Sequence, residues 1–277
     1  MDYRFIDLHT HTTNSDGELT SRELLAEAKK IGIEIIAITN HDTVEGLAEA
    51  SAAAEEIGIG FIPGIEISTQ EKEEVHMLGL GVDCRNEALR KCCDDFAENR
   101  VRRAELICAF LATKGIRVDL EEVRSISGGV IIARPHFAEY LVRHKHVASQ
   151  KEAFERYLNT PAFHAAVTRK KPTPQEAIEL IHGAGGKAVL AHPGLLKKNW
   201  QEMEVFVQEL KAAGLDGIEA IYQKYTPSME KQFLELAKRY DLEVSCGSDY
   251  HGIHVKPDVP LGMKLDMEKY KDVKFCV

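Results

Sequence analysis

Residues 6–18 read IDLHTHTTNSDGE, and their alternation is the key to the chain. In an extended strand, residues two apart share a face. Asp7, His9 and His11 would then point one way, with Ile6 and Leu8 pointing into an apolar layer. Two imidazoles at i and i+2 can chelate one metal ion, and Asp16 follows within reach. A HxH pair alone is short and common, so the rest of the chain has to decide whether this one binds anything.

Outward from that stretch, short apolar runs alternate with amphipathic segments. Strands are expected at Arg4–His9, Ile33–Thr39, Phe61–Glu66, Val75–Val82, Lys187–Ala191, Gly217–Tyr222 and Glu243–Cys246. Helices are expected at Ser21–Ile31, Thr43–Ile57, Pro174–Ala184, Gln201–Ala213 and Ser228–Tyr240, several opened by a threonine or serine cap and followed by glycine. This βαβα order predicts a mostly parallel sheet or barrel with outer helices. From about residue 86 to 169 only helical patterns occur. The chain is therefore expected to divide into a barrel segment 1–85, a small helical insertion 86–169 between the fourth and fifth strands, and a second barrel segment 170–277.

The polar residues repeat the pattern of the opening stretch. The first strand leads to His9 and His11, the second (IIAITNHD) to His41 and Asp42, and the third (FIPGIE) to Glu66. The fourth carries His76, the fifth (KAVLAHPG) leads to His192, and the seventh (VSCGSDYHG) leads to Asp249 and His251. A lone histidine beside an apolar run more often completes a core than binds a metal. Six strands delivering His, Asp or Glu to one rim point instead to a metal site, because the C-terminal ends of barrel strands converge on the active face. Histidines and carboxylates without cysteine suit Zn, Mn or Fe. Nine candidate ligands exceed one ion's needs and suit two or three. By contrast His144 and His146, also HxH, sit in a helical context where the rings diverge. His164, His182 and His254 lack a strand-end context.

Composition narrows the function classes. A net charge of −9 argues against wrapping long duplex nucleic acid. No run of 18 apolar residues appears, and nothing resembles a basic-then-apolar leader. Six cysteines without a CxxC pair read as reduced thiols, so a cytoplasmic location is expected. No protein partner is implied.

Taken together, DLHTHTTNSDG, ITNHDT, PGIEIS, VHMLG, AHPG and GSDYHG, in that order, resemble the PHP (polymerase and histidinol phosphatase) family. The resemblance implies a distorted seven-stranded β/α barrel and a metal-dependent phosphoesterase. One ion would be held by His9, His11, Glu66 and Asp249, a second by Asp16, His41 and His251, and a third by Glu66, His76 and His192. A bridging hydroxide held through His9, His11, Asp16, His41, Glu66 and His251 would be the nucleophile, since metal binding lowers the pKa of water. Asp7 and Asp42 are candidates to orient imidazoles. Asn40 stands where the family commonly has aspartate.

The helical insertion and the ARPH motif look most like the nucleotide branch, which removes the 3′-phosphate of nucleoside 3′,5′-bisphosphates and in some members trims short RNA from the 5′ end. In that reading Arg100, Arg103 and Arg134 recognise a second phosphate, helped by His136 and by Lys170 and Lys171. Guanidinium forks match phosphate oxygens, and positions 100 and 103 share a helix face. From spacing alone RVRR reads as a solvated charge run. The alternative substrate is a non-nucleotide monoester such as histidinol phosphate. Amide hydrolysis on a related barrel would call for a carboxylated lysine where Glu66 stands, and a metal-binding domain without activity would lack some of the nine ligands.

Overall fold

The computed structural model describes residues 3–70, 73–127, 132–167 and 171–276. They form two compact units, one from residues 1–93 with 171–277 and the other from 94–170.

The first unit is a nearly closed, barrel-like sheet of eight strands: β1 (Tyr3–Asp7), β2 (Ile35–Ile38), β3 (Gly60–Gln70), β4 (Glu74–Leu80), β5 (Lys187–Leu190), β6 (Gly217–Tyr222), β7 (Glu243–Gly247) and β8 (Met263–Asp266), in spatial order β7-β6-β5-β4-β3-β2-β1-β8. Its apolar sequence runs are buried as expected, with Leu8, Ile36, Ile38, Ile65, Ile67 and Leu78 all shielded from solvent. The helices α1 (Ser21–Ile31) and α2 (Leu47–Ile57) follow β1 and β2. Thr20 and Glu23 exchange side-chain and backbone hydrogen bonds at the start of α1, and Gly32 ends it at φ 90°, a left-handed turn that glycine adopts without strain.

Three features depart from the sequence expectation. The sheet has eight strands, not seven: β8 pairs antiparallel with Tyr3–Ile6, and its four residues are too few to carry a readable alternation. β4 also runs antiparallel to both neighbours, which makes the sheet less parallel than expected. Because of that reversal, the N-terminal half of β4 lies at the same rim as the C-terminal ends of the parallel strands, and His76 pairs in register with Ser68 two residues beyond Glu66. Finally, β1 ends at Asp7, so His9 and His11 stand beyond it. There the Leu8 and His11 amides donate to the Cys246 and Tyr250 carbonyls, both at 2.9 Å, and the Asp249 amide donates to His9 O at 2.9 Å. The barrel therefore closes between β1 and β7 at the histidine-bearing rim, while β8 covers the other end of β1.

The second unit is helical among its described residues. α3 (Glu87–Ala112) starts in the first unit and leads into it. α4 (Leu120–Ile126), α5 (Arg134–Arg143), α6 (Gln150–Ala153) with a following π turn (Phe154–Leu158), and α7 (Pro161–Ala166) complete it. Phe110, Phe137, Leu141, Leu158 and Phe163 form its core, with Phe110 and Phe163 edge to face at 5.4 Å. In the first unit α8 (Pro174–Gly183) precedes β5, α9 (Trp200–Ala212) precedes β6, and α10 (Pro227–Arg239) precedes β7.

Candidate metal centre

Glu66 sits on β3 with no solvent exposure, in a stretch buried from Gly64 to Thr69. Five imidazoles surround its carboxylate. His9 Nε2 and His11 Nε2 each lie 3.2 Å from Oε2, and His41 Nδ1 lies 3.1 Å from it. His76 Nδ1 and His192 Nε2 approach Oε1 at 2.8 and 3.0 Å. Around this centre, Asp249 Oδ1 is 3.4 Å from His11 Nε2 and 3.3 Å from His251 Nδ1. Asp16 faces His11, His41 and His251 at 3.5, 3.7 and 3.4 Å. The structure thus brings all nine metal-ligand candidates together.

Their donor atoms fall into three groups, each lying within 4.8 Å of one another: His11, Asp16, His41 and His251; His9, His11, Glu66 and Asp249; and His41, Glu66 and His76. His192 is not in the third group, although its Nε2 meets the same Glu66 oxygen as His76.

The chemistry of the donor set fits cations. Glu66 Oε2 is buried and accepts no hydrogen bond, even with three ring nitrogens at 3.1–3.2 Å. His9 Nε2 and His11 Nε2 point at each other at 3.1 Å. Donors bound to one ion at about 2.1 Å stand roughly 3.0–3.4 Å apart in octahedral or tetrahedral geometry, so these spacings would suit the edges of coordination polyhedra. Burial pushes the Glu66 carboxyl up, but the His41, His9 and His76 rings override it and hold Glu66 well below the usual carboxylate range. Burial brings His41 down to about 4 against the pull of Glu66. For His76, burial is outweighed by Glu66 and Glu74, which raise it to about 10. These shifts are the mark of imidazoles and carboxylates buried together.

Backbone strain gathers at the same rim. Asp42, His192 and Asp249 have φ of 55°, 27° and 60°, a region that non-glycine residues avoid. Asp42 is held there as Oδ1 accepts from the Ser68 amide at 2.7 Å. The expectation that Asp7 orients an imidazole is corrected. Its oxygens accept from the Ser248 amide and hydroxyl at 2.9 and 2.6 Å, from the Gly262 amide at 2.8 Å and from the His9 amide at 3.3 Å, so it ties β1 to the β7 loop. Asn40 Oδ1 accepts from the Thr12 amide and the Ser15 hydroxyl, shaping the loop that carries Asp16.

Four supporting residues escaped the sequence reading. Glu219 on β6, fully buried, is hydrogen-bonded to His9 Nδ1 at 3.1 Å and accepts from the His192 amide at 2.6 Å. Tyr222 and Lys256 both hold Asp249 Oδ2, at 2.9 and 2.7 Å. Glu74 meets His76 Nε2 at 3.1 Å and Lys171 Nζ at 2.6 Å. The available signal was a glutamate inside the apolar run GIEAIY, where only a partner makes a carboxylate tolerable.

Arg100, Arg103, Arg134 and His136 belong to the second unit. Arg100 and Arg103 are half-buried while Arg102 is exposed, as one helix face requires. Arg100 lines a cleft of about 210 Å³ with Arg124 over Val101, Ala104, Leu120 and Ile132. The Arg134 guanidinium lies 5.9 Å from the Phe154 ring centre. His136 Nδ1 accepts from the Ala133 amide at 3.0 Å, which gives that nitrogen a helix-capping role. Lys170 lies outside the described residues. His144 and His146 lie past the end of α5 rather than on it, with His144 Nε2 2.9 Å from Glu122.

A PHP domain model matches residues 7–270. A 5′-3′ exoribonuclease of Haemophilus influenzae is 36% identical over 88% of this chain and 89% of its own length. A 3′,5′-nucleoside bisphosphate phosphatase of Chromobacterium violaceum is 36% identical over 89% and 87%. Among solved structures, one described as an amidohydrolase from Chromobacterium violaceum with bound sulfate and no metal aligns with a TM-score of 0.76 at 35% identity, covering 94% of this chain and 91% of that one.

Proposed function

The chain belongs to the PHP family and is a metal-dependent phosphoester hydrolase, and we propose that its substrates are small phosphorylated nucleotides, with the 3′-phosphate of nucleoside 3′,5′-bisphosphates the preferred leaving phosphate. The observation that carries the reading is the Glu66 carboxylate, buried among five imidazoles with one oxygen free of hydrogen bonds. The donor set fits two or three divalent ions of Mn, Fe or Zn. His9, His11, Glu66 and Asp249 would hold one; Asp16, His41 and His251 a second; Glu66, His76 and His192 a third. Such ions supply charge neutralisation at the phosphoryl oxygens and a water of lowered pKa. The protein's own part is to aim the imidazole nitrogens and to hold the carboxylates where positive charge is needed.

The nucleotide preference rests on the kinship with a bisphosphate phosphatase and an exoribonuclease over nearly the whole chain, and on the arginines of residues 94–170. We read that unit as an insertion whose Arg100, Arg103 and Arg134 bind the phosphate that is not cleaved, a task suited to guanidinium forks. Trimming of short 5′-phosphorylated RNA fits the same reading, by the kinship with a 5′-3′ exoribonuclease. We place the chain in the cytoplasm on the strength of six cysteines without a CxxC pair, read as reduced thiols. Among the described residues no helix is long and apolar enough to cross a membrane.

The test is phosphate release from adenosine 3′,5′-bisphosphate by Mn-loaded protein, with AMP, histidinol phosphate and a short 5′-phosphorylated RNA alongside. Rapid loss of the 3′-phosphate with AMP left largely intact is the expected result. Turnover of histidinol phosphate alone would refute the nucleotide reading.

A further inference from the structure

We infer that Glu219 is a positioning residue that couples two of the ion positions, and that β6, which offers no ligand itself, is the strand that sets the metal affinity of the barrel. The inference rests on the metal reading of the Glu66 cluster. One Glu219 oxygen is 3.1 Å from His9 Nδ1, and the other accepts from the His192 amide at 2.6 Å. The carboxylate would favour the His9 tautomer with its proton on Nδ1, and it aims Nε2 at Glu66 Oε2 and Asp249 Oδ1. Its second oxygen restrains the backbone of His192 at φ 27°, an unfavourable angle that presents His192 Nε2 to Glu66 Oε1. A single buried carboxylate therefore positions a donor on each side of Glu66.

The strand is shaped for this. The pairing of β6 with β7 shifts between Glu219 and Ile221, so that Glu219 faces Ser245 and Ile221 faces Cys246. The extra residue of a bulge re-aims the side chains beyond it. Positions three apart, which alternate in a regular strand, here both reach the ligands: Glu219 to His9 and His192, Tyr222 to Asp249. Gly247 leaves the room, since a Cβ there would stand 2.3 Å from His9 Cβ and 2.5 Å from Glu219 Oε1.

Glu219→Gln separates this role from mere packing. The amide cannot accept from both partners: turned one way it sets an NH₂ against the His192 N–H, turned the other way against the His9 Nδ1 proton, where it favours the wrong tautomer. The experiment measures ions retained and their chelator-competition affinities in purified full-length protein, using Mn and Co, with the Co absorption spectrum reporting the coordination sphere. In E219Q the affinity of two ions is expected to fall about 10–100-fold, with activity recovering in excess metal. Glu219→Asp, which keeps the charge but shortens the reach, is expected to weaken at least one ion and serves if E219Q does not fold. Wild-type affinities and spectrum in E219D, or in a folded E219Q, would overturn the inference. A wild-type protein that binds no ion would overturn the metal reading along with it.

Discussion

Glu66→Gln is the most informative single change, because this side chain belongs to two of the three donor groups. It keeps the size of the side chain and replaces one oxygen by NH₂, which cannot donate a lone pair to a cation. With free metal at about one hundred times the wild-type Kd, each ion stabilises the folded chain by about 2.7 kcal/mol, or roughly 5.4 kcal/mol for two. The barrel unit of residues 1–93 and 171–277 is about 200 residues, with an unfolding entropy of roughly 0.42 kcal/mol/K. Metal should therefore raise the wild-type Tm by about 13 °C over the chelator-treated protein. A hundredfold loss of affinity at both positions leaves about 0.4 kcal/mol each, so the variant should gain only about 2 °C. Calorimetry in EDTA and in buffered Mn²⁺, on both proteins, gives all four values. A wild-type shift of a degree or two, or a variant shift equal to the wild-type one, would refute the argument that Glu66 is the shared acceptor of buried cations.

Gly247→Ala puts a methyl group against His9 and Glu219 and should cost about 1–3 kcal/mol of stability and most metal retention, read by thermal unfolding and metal content; an unchanged metal content would show that the barrel rim yields easily. Arg134→Ala should raise KM for a nucleoside bisphosphate about 10–100-fold and leave hydrolysis of p-nitrophenyl phosphate nearly intact, while equal losses on both would count against recognition of a second phosphate. Glu243 gives a pH test away from the metal centre. Burial raises its pKa, but hydrogen bonds from Lys187 and Lys274 outweigh this and hold it below the ordinary 4.5. A depressed carboxylate stabilises the fold above its unfolded value and loses that contribution as pH falls below about 4.5. Glu243→Gln should thus be less stable than wild type at pH 7, by about 1 kcal/mol or less given the exposed lysines, with the gap closing by pH 3 in denaturant titrations. A gap that stays constant with pH would sink the assignment.

The convergence on Glu66 was legible because each of its residues sits at or just beyond an apolar run, and strand geometry carries such positions to a common rim. The rest depends on what a pattern of apolar residues does not carry: the direction of a strand, a bulge, or a partner far along the chain. His76 lies toward the start of its strand, and only the reversal of β4 brings that end to the same rim, a direction that no pattern of apolar residues encodes. Glu219 and Tyr222 are three apart, so strict alternation separates them; the bulge that unites them leaves no mark in GIEAIY. Asp7 was readable as buried and important but not as the clamp on Ser248 and Gly262, because its partners come from 241 and 255 residues away.

Charge gives these pieces a common cause. Glu66, Glu219 and Asp249 are almost wholly buried at one end of one barrel, and Lys256 on Asp249 is the one ammonium bonded to any of them among the contacts described above. Buried carboxylates at this density are tolerated only when opposed by positive charge. Without ions that charge has to come from protons on the surrounding imidazoles: Glu66 and Glu74 raise His76 to about 10 against its burial, whereas burial brings its neighbour His41 down to about 4. Cation binding must expel those protons. On the proposed metal reading the histidines would therefore also supply the positive charge that an acidic barrel needs before it is loaded, and acid is expected to compete with metal for the site before it unfolds the sheet.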